Sequence, residues 1–170
     1  MFKNKKGFTL IETLIVVLLI AILAAIAFPN YEAAMERTRV ASNISLFRPM
    51  ANAAMQYYTF NDEWPDSLKK LPVGVPEAWT VSGLTATSPA TASGTCTITL
   101  TPDSSMTMVC GRGGEDYKFE ARYTIDENGK ISIGETLFFV LAGSGTQTEK
   151  LLKKAARSLG WKASGTGYKI

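Results

Sequence analysis

The chain has 170 residues, no histidine and two cysteines. Without histidine the commonest general acid–base and metal ligand is missing, and two cysteines cannot complete a four-thiolate zinc site. Composition therefore argues against most hydrolases and metalloenzymes, and neither a metal nor a cofactor is expected. The net charge of +3 is set by the first seven residues, where Lys3, Lys5 and Lys6 lie; the rest holds 15 basic against 15 acidic side chains.

Lys5-Lys6-Gly7 is followed by Phe8-Thr9-Leu10-Ile11-Glu12, and Leu14 through Phe28 is uninterruptedly apolar, ending at Pro29-Asn30. Phe8 to Phe28 is 21 residues; at 1.5 Å per residue a helix of that length measures roughly 31 Å, the thickness of a bilayer's hydrocarbon core. Lysines before the run predict a cytoplasmic N-terminus, which puts everything after Pro29, both cysteines included, where thiols oxidise. Glu12 is the anomaly, because a carboxylate inside an apolar span costs a few kcal/mol unless paired or protonated. No Lys or Arg occurs between Phe8 and Glu36. The remaining cation is an α-amino group, either at Phe8 if the chain is cut there or on a neighbouring subunit. Ala25-Ile26-Ala27 also fits an ordinary secretory cleavage site before Phe28, and an uncleaved signal anchor is another reading of the same run.

The stretch Lys5-Lys6-Gly7-Phe8-Thr9-Leu10-Ile11-Glu12 with its apolar run resembles the class III signal of type IV pilins and type II secretion pseudopilins. The resemblance implies cleavage after Gly7 by a membrane-embedded prepilin peptidase, N-methylation of Phe8, and pairing of Glu12 with a neighbour's amine. It also implies helix kinks at Pro29 and Pro49, an inner-membrane assembly platform as partner, and a homo-oligomeric helical filament as product. The division it implies is a leader over 1–7, a transmembrane or filament-core helix over 8–28, an amphipathic extension over 29–60, and a head over 61–170. The precursor would sit in the bacterial inner membrane with its head periplasmic, and the assembled form would be an extracellular pilus or a periplasm-spanning filament.

Beyond Pro29, the apolar residues Val40, Ile44, Phe47, Ala51, Ala54 or Met55, and Tyr58 recur every three or four positions, which predicts that the helix continues as an amphipathic one. Pro29 and Pro49 each remove a backbone donor, so they should bend the rod or melt it locally. Breakers at Asn61-Asp62-Glu63-Trp64-Pro65 predict its end. Residues 72–95 read as loop with one short strand around Thr80 to Leu84. Thr95 to Leu100 and Met106 to Cys110 predict a hairpin across Pro102-Asp103-Ser104-Ser105. Tyr117, Phe119, Ala121, Tyr123 and Ile125 alternate with polar residues, the pattern of a half-buried strand. Asn128-Gly129 turns it back into Ile131 and Ile133, and Leu137 to Ala142 predicts a further strand. Thr146-x-x-Glu149 is a capping box opening a short basic helix with a Leu151, Leu152, Ala155, Leu159 stripe and a Gly160 cap. The fold class is thus α+β: a long N-terminal helix packed on a small antiparallel sheet, with a short C-terminal helix.

A hairpin centred on Asp103 brings Cys96 opposite Cys110, predicting a cross-strand disulfide; two buried free thiols are the alternative. Gly143 to Lys150 superficially suggests a phosphate loop, but glycine before the lysine and Ser/Thr after it are both absent. Arg112-Gly113-Gly114-Glu115-Asp116 reads as a turn, without the acidic ladder of a calcium loop. From Gln147 to Ile170 there are six Lys/Arg against one Glu. The function expected is that of a non-enzymatic pilin; the alternatives are a type II secretion pseudopilin and a minor pilin whose basic C-terminus binds DNA.

Overall fold

The computed structural model describes residues 8–91, 94–111 and 116–170. Helix α1 runs unbroken from Leu10 to Asn61. Both prolines lie inside it, and each stands on an exposed side of the rod. Pro29 withdraws a donor from the Ala25 carbonyl, and beside it the Asn30 side-chain amide donates to the Ile26 carbonyl at 3.3 Å. Pro49 leaves the Ser45 carbonyl without its helical donor, and Ser45 is exposed, on a side of the rod open to solvent. The helix ends where the breakers cluster: Asp62 adopts the left-handed conformation at φ 55° and returns its N–H to the Tyr58 carbonyl.

The distal half of α1 lies on an eight-stranded antiparallel sheet, β1 (Thr80–Ser82), β2 (Thr85–Thr87), β3 (Thr95–Thr101), β4 (Ser105–Gly111), β5 (Tyr117–Ile125), β6 (Ile131–Val140), β7 (Lys162–Ser164) and β8 (Gly167–Lys169). Its order is β1-β2-β3-β4-β5-β6-β8-β7. Val40, Phe47, Ala51 and Ala54 of the predicted face, joined by Met50, are buried against Ile98, Leu100, Met106, Met108, Tyr117, Phe119 and Phe138. Phe47 stacks on Phe119 with ring centroids 5.7 Å apart, and the Tyr123 hydroxyl donates to the Ala51 carbonyl at 3.1 Å. The helix exit is pinned separately. Trp64 packs between Tyr58 and Tyr123 and donates its indole N–H to Asp103 in the β3–β4 turn at 2.8 Å.

Four details differ from the sequence reading. The single strand expected at Thr80–Leu84 is a hairpin, turned by Gly83 at φ 55°. Ile131–Ile133 and Leu137–Val140 belong to one strand: Ala121 faces Thr136 while Tyr123 faces Ile133, so β6 carries one extra residue at the bulge. That insertion shifts the inside–outside parity of β6, so period-2 counting splits it in two. Ile125, at the end of the alternating pattern, is exposed. Finally, residues 162–169 form a hairpin, β7–β8, that pairs with β6 through Leu137↔Lys169 and Phe138↔Tyr168. Strands of three residues are too short to show a period. Gly167 is required there by space, since a Cβ would fall 2.8 Å from the Phe138 carbonyl oxygen.

Helix α2 (Gln147–Ser158) is capped as predicted, with Thr146 Oγ1 accepting the Glu149 N–H at 3.1 Å. The Glu149 carboxylate turns back to the Gly145 N–H, one residue before the usual capping-box partner. At the other end Gly160, at φ 81°, donates to Arg157 and Trp161 donates to Ala156, the Schellman pattern. Phe119, fully buried, touches Phe47, Tyr117, Phe138 and Trp161. Phe119→Ala should therefore lower the head's unfolding free energy by about 3–5 kcal/mol, read from urea unfolding by tryptophan fluorescence of the full chain in detergent. A loss below about 1 kcal/mol would show that helix and sheet are held together elsewhere.

Candidate functional site

The first helical turns combine local order with apolar exposure. Thr9 is the N-cap of α1 and its hydroxyl accepts the Glu12 N–H at 3.3 Å, so Thr9-x-x-Glu12 has the spacing of a capping box. Glu12 stands in the first turn, where the helix dipole favours a carboxylate. Around it Phe8, Leu10, Ile11 and every residue onward to Asn30 are exposed. The helix is long and apolar enough to cross a membrane, and none of its most apolar stretch is buried within the chain. Gly7 and the three preceding lysines lie outside the described residues, so the cleavage position is a statement about sequence.

Between the exposed stretch and the head, two polar side chains that periodicity did not single out are held in place, Glu36 by a partner on α1 itself and Asn43 by the sheet. Glu36, 8% exposed, receives two hydrogen bonds from Arg39 Nη1, at 2.8 and 3.0 Å. One turn on, Asn43 Nδ2 donates to Tyr117 Oη at 2.6 Å and lies 3.3 Å and 3.4 Å from Cys110 Sγ and Cys96 Sγ. The predicted disulfide is formed, with Cα atoms 4.2 Å apart in the predicted register of Cys96↔Cys110, Ile98↔Met108 and Leu100↔Met106. Burial pushes the Tyr117 phenol up to about 12, against the opposing pull of the Asn43 hydrogen bond, so it serves as a neutral partner throughout the physiological range. Asn43 breaks the apolar stripe as a polar residue between Val40 and Phe47, and that interruption was the available signal.

On the far face of the sheet, Glu120 bridges Lys118 at 2.7 Å and Arg122 at 2.6 Å. Partial burial would raise its carboxyl, but the two hydrogen bonds outweigh that and hold it below the usual range. Lys118 also sits over the Phe139 ring, 4.8 Å from its centroid. This surface thus holds two cations around one carboxylate. Of the turn Arg112 to Asp116, residues 112–115 lie outside the described residues.

Set beside known proteins, residues 2–28 match the family model described as the prokaryotic N-terminal methylation motif. The match falls on the same segment that carries the type IV pilin resemblance read from Lys5 to Phe28. Among individual relatives, a fimbrial protein of Neisseria meningitidis is 41% identical over 63 residues, covering 37% of each chain. A type IV major pilin protein PilE1 of Neisseria gonorrhoeae is 40% identical over 63 residues, 37% of this chain and 38% of its own. A fimbrial protein of Pseudomonas aeruginosa is 48% identical over 56 residues, 31% and 36% respectively. The similarity thus spans little more than a third of the curated relatives' length.

The polar junction makes a measurable demand on stability. Asn43→Ala leaves the buried Tyr117 hydroxyl without its donor and should cost about 1–3 kcal/mol. Removing the disulfide, whose cysteines are 14 residues apart, should cost about 3 kcal/mol on the chain-entropy argument. Because Asn43 touches both sulfurs, its substitution in a Cys96→Ala/Cys110→Ala background should cost less than in the native chain. Strict additivity in urea unfolding of the four variants would mean that Asn43 acts through Tyr117 alone.

Proposed function

We propose that the chain is the structural subunit of a type IV pilus-like filament. In this reading the precursor is a single-pass inner-membrane protein with Lys3, Lys5 and Lys6 on the cytoplasmic side, cut after Gly7 by a prepilin peptidase and methylated at Phe8. An inner-membrane assembly platform then stacks the mature chains through the Phe8 to Tyr58 helices. The observation that carries the proposal is the form of α1: its apolar half is wholly exposed, while the same unbroken helix is locked into the head by its other half. Such a surface needs lipid first and identical neighbours later. The Neisseria and Pseudomonas relatives named as fimbrial and pilin proteins support the same reading.

Exchange of lipid for neighbouring helices brings little hydrophobic gain, because tails and apolar side chains are alike; close packing and polar pairing must supply the preference. Glu12 is suited to that role. Its carboxylate has no Lys or Arg within its own span, and a mature chain offers an α-amine at Phe8 to its neighbour. Each subunit then presents a carboxylate to one neighbour and an amine to another, a head-to-tail contact that does not close and so propagates as a filament.

Two measurements test this. Mass spectrometry of sheared surface filaments should find a chain beginning at N-methyl-Phe8; an intact Met1 or a start at Phe28 would overturn the processing scheme. Glu12→Ala should insert as well as the native chain or better, since a cost of a few kcal/mol is removed from the span, and should be cleaved normally while filaments become scarce. Glu12→Gln, which keeps shape and an acceptor but not charge, should behave like Ala. Filaments of normal number and length in electron micrographs of either variant would dispose of the pairing mechanism.

A further inference from the structure

Among the described residues, one surface of a single sign takes no part in the scheme above. Lys150, Lys153, Lys154 and Arg157 of α2 are all exposed, and their spacing of three, four and seven sets them within an arc of about 100° on the helix. The opposite arc carries Leu152, Ala155 and Ala156, which are buried. Only Lys153 has a carboxylate partner among the described residues, Glu149 at 2.6 Å.

Position gives the stripe its meaning. Gln147 and Leu151 share a groove with Phe28 and Tyr31, whereas Lys154 and Ser158 share one with Asn30 and Arg37. On α1 these two sets point to different sides, so α2 lies across α1 rather than along it, at the level of residues 28–41. Leu152 and Ala156 join the core built on Val40 and Phe47, farther along α1 from the apolar stretch, and the basic stripe is on the side turned away from that core. Phe28 and Tyr31, 66% and 62% exposed, stand where aromatic rings favour a membrane interface.

We propose that α2 is a membrane-surface contact: while the subunit is unassembled, the Lys150–Arg157 stripe rests on anionic phospholipid headgroups of the leaflet from which α1 emerges. This rests on the reading of Phe8–Phe28 as a membrane span. With Phe28 at the hydrocarbon edge, the α2 crossing begins within a few ångströms of it by helical rise. The headgroup layer is roughly 5–8 Å deep, and the Debye length is about 8 Å at physiological salt, so the long basic side chains lie within reach of lipid phosphates. The carboxylates nearby are Glu32, Glu36 and Glu149, against Arg37, Arg39 and the four cations of α2. Glu36 and Glu149 are already paired, which leaves the surface positive. A nucleic acid on the same stripe would have to press its phosphates against those of the bilayer. The contact would hold the head down and limit its tilt until assembly lifts the subunit away.

The test uses the full chain in nanodiscs of phosphatidylcholine with or without phosphatidylglycerol, footprinted with a neutral lysine-acetylating reagent and read by mass spectrometry. Lys150 and Lys154 should be modified about threefold or more slowly when phosphatidylglycerol is present, while Lys69 and Lys130 keep their rates, and about 0.5 M salt should erase the difference. Lys153, on the same stripe, should share the protection in the native chain and lose it in Lys150→Gln/Lys154→Gln/Arg157→Gln, which retains good helix formers, with disulfide and helix content intact; Lys69→Gln/Lys70→Gln should leave it unchanged. Equal rates in the two lipids, with the chain inserted in both, would overturn the contact and leave the span standing. Failure to co-purify with either nanodisc would overturn the span and the contact with it. Salt-dependent binding of a DNA duplex without any response to phosphatidylglycerol would assign the stripe to nucleic acid and also overturn it.

Discussion

The packing of Val40, Phe47, Met50, Ala51 and Ala54 on the inner face of the sheet fixes where the exposed half of α1 points. A helix hydrophobic all round, as this one is from Leu14 to Phe28, has no preferred side and no intrinsic register with a partner. Orientation has to be imported from the other end of the rod. Phe47 against Phe119 sets the rotation of the helix on the sheet, and Trp64, clamped by Tyr58, Tyr123 and Asp103, stops it from sliding. Because α1 is unbroken between these anchors and Thr9, the head and the apolar stretch move as connected parts of one element.

Asn43 refines that coupling. Apolar contacts tolerate small rotations, since their energy depends on area more than on angle, whereas a hydrogen bond weakens steeply once its angle closes. Asn43 bonded to Tyr117 and lying against the Cys96–Cys110 bridge therefore adds directional restraint between the helix and the paired strand ends. The disulfide ties β3 to β4 at the same level, so the strand pair against which Asn43 works cannot splay.

Much of this was legible in the sequence, for identifiable reasons. A long apolar run, a three-and-four stripe, a strictly alternating strand and two capping signatures are local patterns with strong periods, and each became the element it predicted. The cysteine pairing followed from the register of one short hairpin. What escaped was either too short to carry a period, as with β2, β7 and β8, or out of phase with itself, as with β6 across its bulge. Asn43 and Glu36 escaped because a polar residue on a helix reads as solvated until its partners, more than fifty residues away for Asn43, are brought to it. Gly167 belongs with them: its neighbour is the Phe138 carbonyl, a contact made by the fold alone.

The edges of the sheet bear on how copies of the chain can meet. Its outermost strands, β1 and β7, are three residues each, and β7 begins with Lys162. Short edges with a charge on them are poor templates for strand addition, so association through the sheet is discouraged at both ends. The outer face of β5 is likewise occupied by its own Lys118–Glu120–Arg122 network, whose side chains are already bonded to one another. With sheet edges and this face quiet, the surface that most needs covering is the apolar half of α1. In the proposed filament, self-association would therefore run through helix packing, in which many weak, non-directional contacts act along the rod, and the Glu12 carboxylate near its start would decide how far one helix is displaced against the next.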